Sequence, residues 1–344
     1  MHVPPAGPAE PTETRFIAPD RAAWRSVACA LVLFAGCATA RPQSHEPQRR
    51  DVEFQSGQEV VRGWLYLPAG NESKLRSPGV VMAPGFSGTK ETNYQFFAEA
   101  FAQAGLAVLL IDYPGFGASG GALRGEVDPA LQVQTYRDGL SFLAAQEEVD
   151  PGRLGLWGGS YSGGHVLVAA AQDPRVKCLV AMTPFLSGGF YLSRMPPEQR
   201  ALLEQQFAGD REARARGVAP AMIPVATEDG EGLSAIASPN AWRFIQSFQS
   251  YAPSYVNAVT LRSLELELAY EPRVSVPTIG AIPKLFIIAR GDELIPEALI
   301  QDAFQAATEP KQLAYLEGHH FTPYMEGRAE AIRLAAEWFV KNLK

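Results

Sequence analysis

Cysteine, histidine and an excess of positive charge are all scarce in this sequence. Its 344 residues include 3 cysteines and 5 histidines, and Asp and Glu outnumber Lys and Arg by 37 to 30, giving a formal net charge of -7. Cys29, Cys37 and Cys178 form no CxxC pair and no Cys/His cluster with metal spacing, which argues against a structural zinc site. The acidic balance gives no electrostatic reason to expect nucleic acid as a partner. It also argues against docking on anionic lipid by charge alone. The apolar run Val27–Gly36 is shorter than the roughly 20 residues a membrane-spanning helix needs. The chain does have 47% hydrophobic residues, enough for one large core, and a length that would also allow two domains.

Residues 1–20 are rich in Pro, Ala, Thr and acids and show no apolar periodicity. Arg21 and Arg25 then precede the short apolar run, and small residues follow it, in the order of a secretory signal. The stretch Leu33-Phe34-Ala35-Gly36-Cys37 resembles the cleavage box of bacterial lipoproteins. That resemblance implies export to the bacterial cell envelope, with a lipid on Cys37 as the sole membrane anchor. The competing reading is a disordered leader followed by a short packed helix. The polar segment Ala38–Arg50 is expected to act as a tether, so residues 1–50 are assigned to signal and tether. Cys178 alone then falls in the folded part. It lies in the apolar run Val176–Met182, the setting of a buried core cysteine.

From residue 51 the pattern changes. Val52 and Phe54 alternate with polar residues, Ser56-Gly57 punctuates, and Val60–Leu67 is apolar and aromatic, which predicts an antiparallel hairpin. Short apolar runs at 80–83, 106–111, 153–157 and 176–182 then alternate with helical patterns at 93–103, 130–146 and 165–171. In the first helix, Phe96, Phe97, Ala100 and Phe101 are expected to share one face. Regular alternation of this kind implies βαβ units and a mostly parallel sheet with helices on both faces. The rhythm breaks after Thr183-Pro184 and resumes with strands at 284–289 and 312–316 and helices at 297–307 and 330–343. The domains expected are therefore a core of 51–185 and 281–344, with 186–280 inserted as a cap over the strand ends, where open α/β sheets bind ligands. Met195, Met222, Trp242, Phe244, Phe248 and Tyr251 in the insertion are expected to line a pocket or, for most of them, to pack on the core.

The chemistry centres on Leu154-Gly155-Leu156-Trp157-Gly158-Gly159-Ser160-Tyr161-Ser162-Gly163-Gly164. An apolar strand runs into a tight turn of small residues, and a helix follows. A nucleophile elbow needs this layout, because the serine takes a strained backbone position and its neighbours two residues away must be small. Those neighbours are Gly158 and Ser162, where the usual motif has Gly at the second site. Ser162 is the rival nucleophile. Ser160 is preferred because it lies closer to the strand end. A serine hydroxyl also needs a base to take its proton and a carboxylate to orient that base. The strand Lys284–Ala289 delivers Asp292 to a Gly-containing loop, with Glu293 as the alternative acid. Among the histidines, His2 and His45 precede the folded part and His165 lies in the helix after Ser160, which leaves His319 and His320 open.

Together with Pro84-Gly85-Phe86-Ser87-Gly88-Thr89-Lys90-Glu91 and Asp112-Tyr113-Pro114-Gly115-Phe116-Gly117-Ala118-Ser119-Gly120-Gly121, these residues resemble the α/β-hydrolase superfamily. The nearest likeness is to its dienelactone-hydrolase-like and Xaa-Pro-peptidase-like branch. The resemblance implies the α/β-hydrolase fold and the order Ser160, Asp292, His320 for the triad, since the Gly-x-His-Phe ending is similar to the family's histidine loop. It also implies backbone N–H donors to an oxyanion from Tyr161 and from the 83–88 loop, where Phe86 is the candidate although relatives often carry His-Gly in place of Pro84-Gly85. No metal or organic cofactor is implied. The expected partner is a small-molecule ester, thioester or amide substrate, by analogy of fold. An acyl-enzyme serine esterase is the leading expectation. An aminopeptidase or amidase of the same fold, and a non-catalytic envelope binding protein, are the competing ones.

Overall fold

The computed structural model describes residues 46–69, 76–230 and 232–344. The expected signal and the lipidated Cys37 fall on residues 1–45 and lie outside the described residues. Strand β1 (Gln48–Ser56) begins three residues before the expected start of the folded part. It turns through Gly57-Gln58 into β2 (Glu59–Leu67), with Ser56 opposite Glu59. A two-residue hairpin loop needs positive φ, which Gly57 supplies at 59°.

The alternation then follows in order. Strand β3 (Ser77–Ala83) leads to α1 (Tyr94–Gln103), β4 (Ala107–Ile111) to α2 (Pro129–Ala144), and β5 (Val149–Gly159) to α3 (Tyr161–Gln172) and β6 (Val176–Met182). Asp128 caps α2 by accepting hydrogen bonds from the amides of Ala130 and Leu131, and Pro129 fits the first helical position. Residues 183–283 leave the sheet and form α4 (Gly188–Arg194), α5 (Pro197–Ala215), β7 (Met222–Ile223), α6 (Pro239–Phe248), β8 (Val259–Thr260) and α7 (Leu261–Ala269), then a 3-10 turn at Pro272–Thr278. The two short strands pair only with each other. The sheet resumes with β9 (Lys284–Ala289), α8 (Glu297–Ala306), β10 (Lys311–Leu316) and α9 (Arg328–Asn342).

The eight-stranded sheet runs β1-β2-β4-β3-β5-β6-β9-β10. β2 is antiparallel to both of its neighbours, and every pairing from β4 to β10 is parallel. The inner strands are buried along nearly their whole length, as strands covered on both faces must be. Their side chains alternate between two apolar layers. Val81, Leu109, Leu156, Leu179 and Ile288 pack with α2, α3 and α8. Val80, Val108, Trp157, Val180 and Ile287 pack with α1 and α9. Residues 183–283 have no separate core among the described residues. Leu203, Phe207, Ile223, Ile245 and Val259 join the layer shared with α3.

One helix face differs from expectation. The buried side of α1 is Tyr94, Phe97, Ala98, Phe101 and Ala102, rotated away from Phe96 and Ala100. Phe96 instead lies under the guanidinium of Arg328, 4.1 Å from its ring centre. The apolar count alone could not distinguish the two faces, because aromatic residues occupy both.

Candidate active site

Three loops meet at the carboxyl ends of β5, β9 and β10. Ser160 stands between β5 and α3 with φ 58° and ψ -122°, a conformation that costs a non-glycine residue strain energy. The turn closes tightly around it. A Cβ on Gly158 would stand 2.2 Å from the Ser162 carbonyl oxygen, so only glycine fits there. The turn is anchored by backbone bonds from Ser160 N–H to Met182 O (2.9 Å) and from Phe185 N–H to Ser160 O (2.9 Å).

His320 Nε2 lies 2.9 Å from Ser160 Oγ, and His320 Nδ1 lies 2.7 Å from Asp292 Oδ2. The side chains of His320 and Asp292 are 1% and 0% exposed. Asp292 is fixed in turn by its other oxygen, which accepts the amides of Leu294 (2.9 Å) and Ile295 (2.7 Å). With the carboxylate on Nδ1, that nitrogen carries the ring proton and Nε2 faces the serine as an acceptor. The hydroxyl of residue 160 is thus joined by an unbroken hydrogen-bond path to a buried carboxylate.

The alternatives from the sequence take other positions. Ser162 is fully buried, and its hydroxyl is used within the turn, 3.0 Å from Ala83 O and 2.9 Å from both the amide and the carbonyl of Gly159. Glu293 accepts hydrogen bonds from Ser238, Asn240 and the His320 amide. Burial would raise its carboxyl, but these donors outweigh it and hold Glu293 below the usual range. His319 points away, partly exposed and 3.7 Å from Glu326. His165 is buried between Tyr270 (2.9 Å) and Gln132 (2.8 Å), and burial pushes its imidazole down to about 3, so it is neutral and structural.

The two residues expected to supply oxyanion donors are in side-chain contact. The rings of Phe86 and Tyr161 meet edge to face with centres 5.3 Å apart. Tyr161 is the first residue of α3, so its N–H has no acceptor within the helix. Among the described residues no hydrogen bond engages the Phe86 amide. The adjacent Gly85 amide is held by Tyr94 Oη at 2.8 Å, which fixes the loop in place of the more usual His-Gly sequence.

Two chambers share Phe86 and Ser160. The smaller, about 40 Å³, is walled by Val225, Ile236, Phe244, Ile245, Phe248 and Phe321 among others. The larger, about 670 Å³, reaches His320 and is lined by Phe185, Tyr191, Met195, Leu203, Leu268 and Glu267 among others. Met195, Phe244 and Phe248 therefore line chambers, whereas Met222 and Tyr251 are exposed by 49% and 41%. Sequence reasoning missed Tyr191, Leu203 and Glu267. No local pattern marks them, and only the folding of α4, α5 and α7 over the site brings them to it. Among the described residues no group of three or more His, Cys, Asp and Glu side chains converges as a metal site would.

Comparisons with known proteins identify the family. A family model described as the alpha/beta hydrolase fold matches residues 78–324. A thiohydrolase of Eupenicillium brefeldianum is 33% identical over 303 residues, covering 86% of this chain and 94% of that protein. The thiohydrolase aneE of Aspergillus aculeatus is 29% identical over 307 residues, covering 87% and 95%. Among solved structures, the alpha/beta hydrolase GrgF from Penicillium sp. sh18 superposes with a TM-score of 0.75 at 25% identity, over 86% of this chain and 99% of that one.

Proposed function

The chain belongs to the alpha/beta hydrolase family, and from that premise we propose that it is a serine hydrolase cleaving thioesters or carboxylic esters through an acyl-enzyme. One observation carries the proposal: the path from Ser160 Oγ through His320 to Asp292, at 2.9 and 2.7 Å. The two relatives named thiohydrolases support thioesters as the first class to test.

The chemistry follows from these positions. Ser160 Oγ attacks the substrate carbonyl carbon as its proton passes to His320 Nε2. The imidazolium is stabilised by Asp292, which stays ionised throughout. The carbonyl oxygen becomes an oxyanion facing the amides of Phe86 and Tyr161, each such donor being worth roughly 10²–10³ in kcat. Collapse expels the thiolate or alkoxide, which takes the proton from His320. Water then attacks the Ser160 ester with His320 again as base, releasing the acid and restoring the serine.

The chambers bear on the substrate's shape. The chamber of about 40 Å³ beside Ser160 accommodates only a small group. About 670 Å³ accommodates a long or bulky arm. Residues 183–283 contribute to both chambers and act in this reading as a cap that selects the substrate.

A fluorophosphonate probe should label the wild-type protein at Ser160. Ser160→Ala should remove both the label and the turnover of thioesters and p-nitrophenyl esters, while Ser162→Ala keeps the label. Active protein that resists the probe, or label retained by Ser160→Ala, would refute the assignment. Aminoacyl anilides in the same panel separate esterase from peptidase.

A further inference from the structure

Three side-chain oxygens that this hydrolysis does not use, those of Tyr161, Ser234 and the carboxyl of Glu267, lie unpartnered among the described residues in the wall of the large chamber. Glu267 of α7 lines it, and its Oε2 is buried with no hydrogen-bond partner among the described residues. Its neighbours on the same stretch are all engaged. Glu265 pairs with Arg211, and Glu271 accepts from Ser187 (2.9 Å), the Gly189 amide (2.7 Å) and Arg273 (3.0 Å). Facing Glu267 are the phenols of Tyr161 from α3 and Tyr191 from α4, both pushed up by burial and then by this carboxyl's charge. Glu293 and His320 lie in the loops that close the chamber, and among the described residues no Lys or Arg lines it. Tyr191 is already occupied, donating to Leu294 O at 2.7 Å. Burial raises the Glu267 carboxyl to about 8, so at neutral pH it holds its proton and can donate it in a hydrogen bond.

A buried donor with no partner is costly unless something else completes it. We propose that Glu267 is a specificity-determining residue whose carboxyl hydrogen-bonds an uncharged oxygen, a hydroxyl or carbonyl, on the substrate arm in the large chamber. The inference rests on that chamber receiving the substrate of the proposed hydrolase. A carboxylate on the arm would meet Glu293 and, among the described residues, no Lys or Arg. An ammonium would have to shed its water in a mostly apolar chamber for a single carboxyl, a loss that pairing there does not reliably offset. An uncharged oxygen gains the bond with neither penalty.

Binding to Ser160→Ala protein tests this without turnover. Calorimetry compares an unsubstituted medium-chain primary amide with forms carrying one hydroxyl or one ketone at successive positions. At least one oxygenated amide should bind about tenfold tighter than the parent, the effect of a single hydrogen bond. Glu267→Gln in the same background should keep most of that gain, because an amide also donates. Glu267→Leu should abolish it while binding the parent at least as well. Equal affinity for every amide, or a preference that survives Glu267→Leu, overturns the proposal. So does a preference for amino-substituted chains that grows as pH rises through about 8, which would mark a cation site. Fluorophosphonate labelling of the wild type reads the hydrolase proposal separately. Label without an oxygen preference removes this inference alone, and preference without label removes only the other.

Discussion

Two carboxyls in one chamber are held at opposite ends of their range by their surroundings. Glu293 receives hydrogen bonds and stays charged, whereas Glu267 receives none and stays neutral at neutral pH. This contrast makes stability depend on pH with a definite sign. In the unfolded chain Glu267 ionises from about its ordinary 4.5, while in the folded protein it keeps its proton up to about 8. Between those values the folded state binds more protons, so its contribution to stability is present below 4.5, declines as pH rises and is fully lost above about 8. Glu267→Gln cannot ionise. Urea midpoints of the two proteins should therefore diverge in favour of the variant across this window and run parallel outside it. A constant difference from pH 4.5 to 8 would mean that the carboxyl is not held neutral. Neither behaviour is legible in the residues themselves, since glutamate reads the same at 265, 267 and 293.

At the scale of elements, the elbow and helix α7 lie at two extremes of legibility. The elbow is written locally: strand, Gly158-Gly159, Ser160, helix. Its strain is local too, so the sequence signals it. Gly158→Ala tests it directly. The new Cβ would meet backbone atoms of Ser162 at 2.2 and 2.5 Å, which cannot yield as a flexible side chain would. The expected result is a loss of about 1–3 kcal/mol in stability, the usual range for overpacking, with fluorophosphonate labelling of the folded fraction slowed as Ser160 shifts. Unchanged labelling kinetics would show that the turn tolerates the displacement. Helix α7 has the sequence Leu261-Arg262-Ser263-Leu264-Glu265-Leu266-Glu267-Leu268-Ala269, whose strict alternation at 264–268 has the period of a strand. It folds as a helix capped by Thr260, whose hydroxyl accepts the Ser263 amide, and it sends Glu265 to Arg211 and Glu267 to the chamber. Packing against α4 and α5 overrides the local period.

Across the molecule, the site sits where the parallel strands end and residues 183–283 cover them. The large chamber is therefore set by helices far from Ser160 in sequence. Leu203 on α5 is 7% exposed and lines it. Leu203→Trp should fill part of that space and raise KM for long acyl chains about tenfold, with little change for acetyl esters. An acyl-length profile identical to the wild type would show that the long arm lies elsewhere. Tryptophan adds bulk without charge, so a selective loss of long chains reports volume.

The alternation of buried runs and amphipathic helices determined the α/β architecture from sequence alone, because a strand covered on both faces must be apolar throughout. The elbow was equally local, since its strain demands small residues within two positions of Ser160. Sequence brought the search for a base and an acid down to His319 or His320 and Asp292 or Glu293. The family resemblance pointed to Asp292 and His320, and the tertiary structure brings His320 to Ser160 and Asp292 to His320; it alone decided which face of α1 is buried and that Glu267 enters the chamber. Those outcomes depend on distances between segments far apart in sequence, 160 residues for Ser160 and His320, and a periodic pattern records which residues are buried but not what they are buried against.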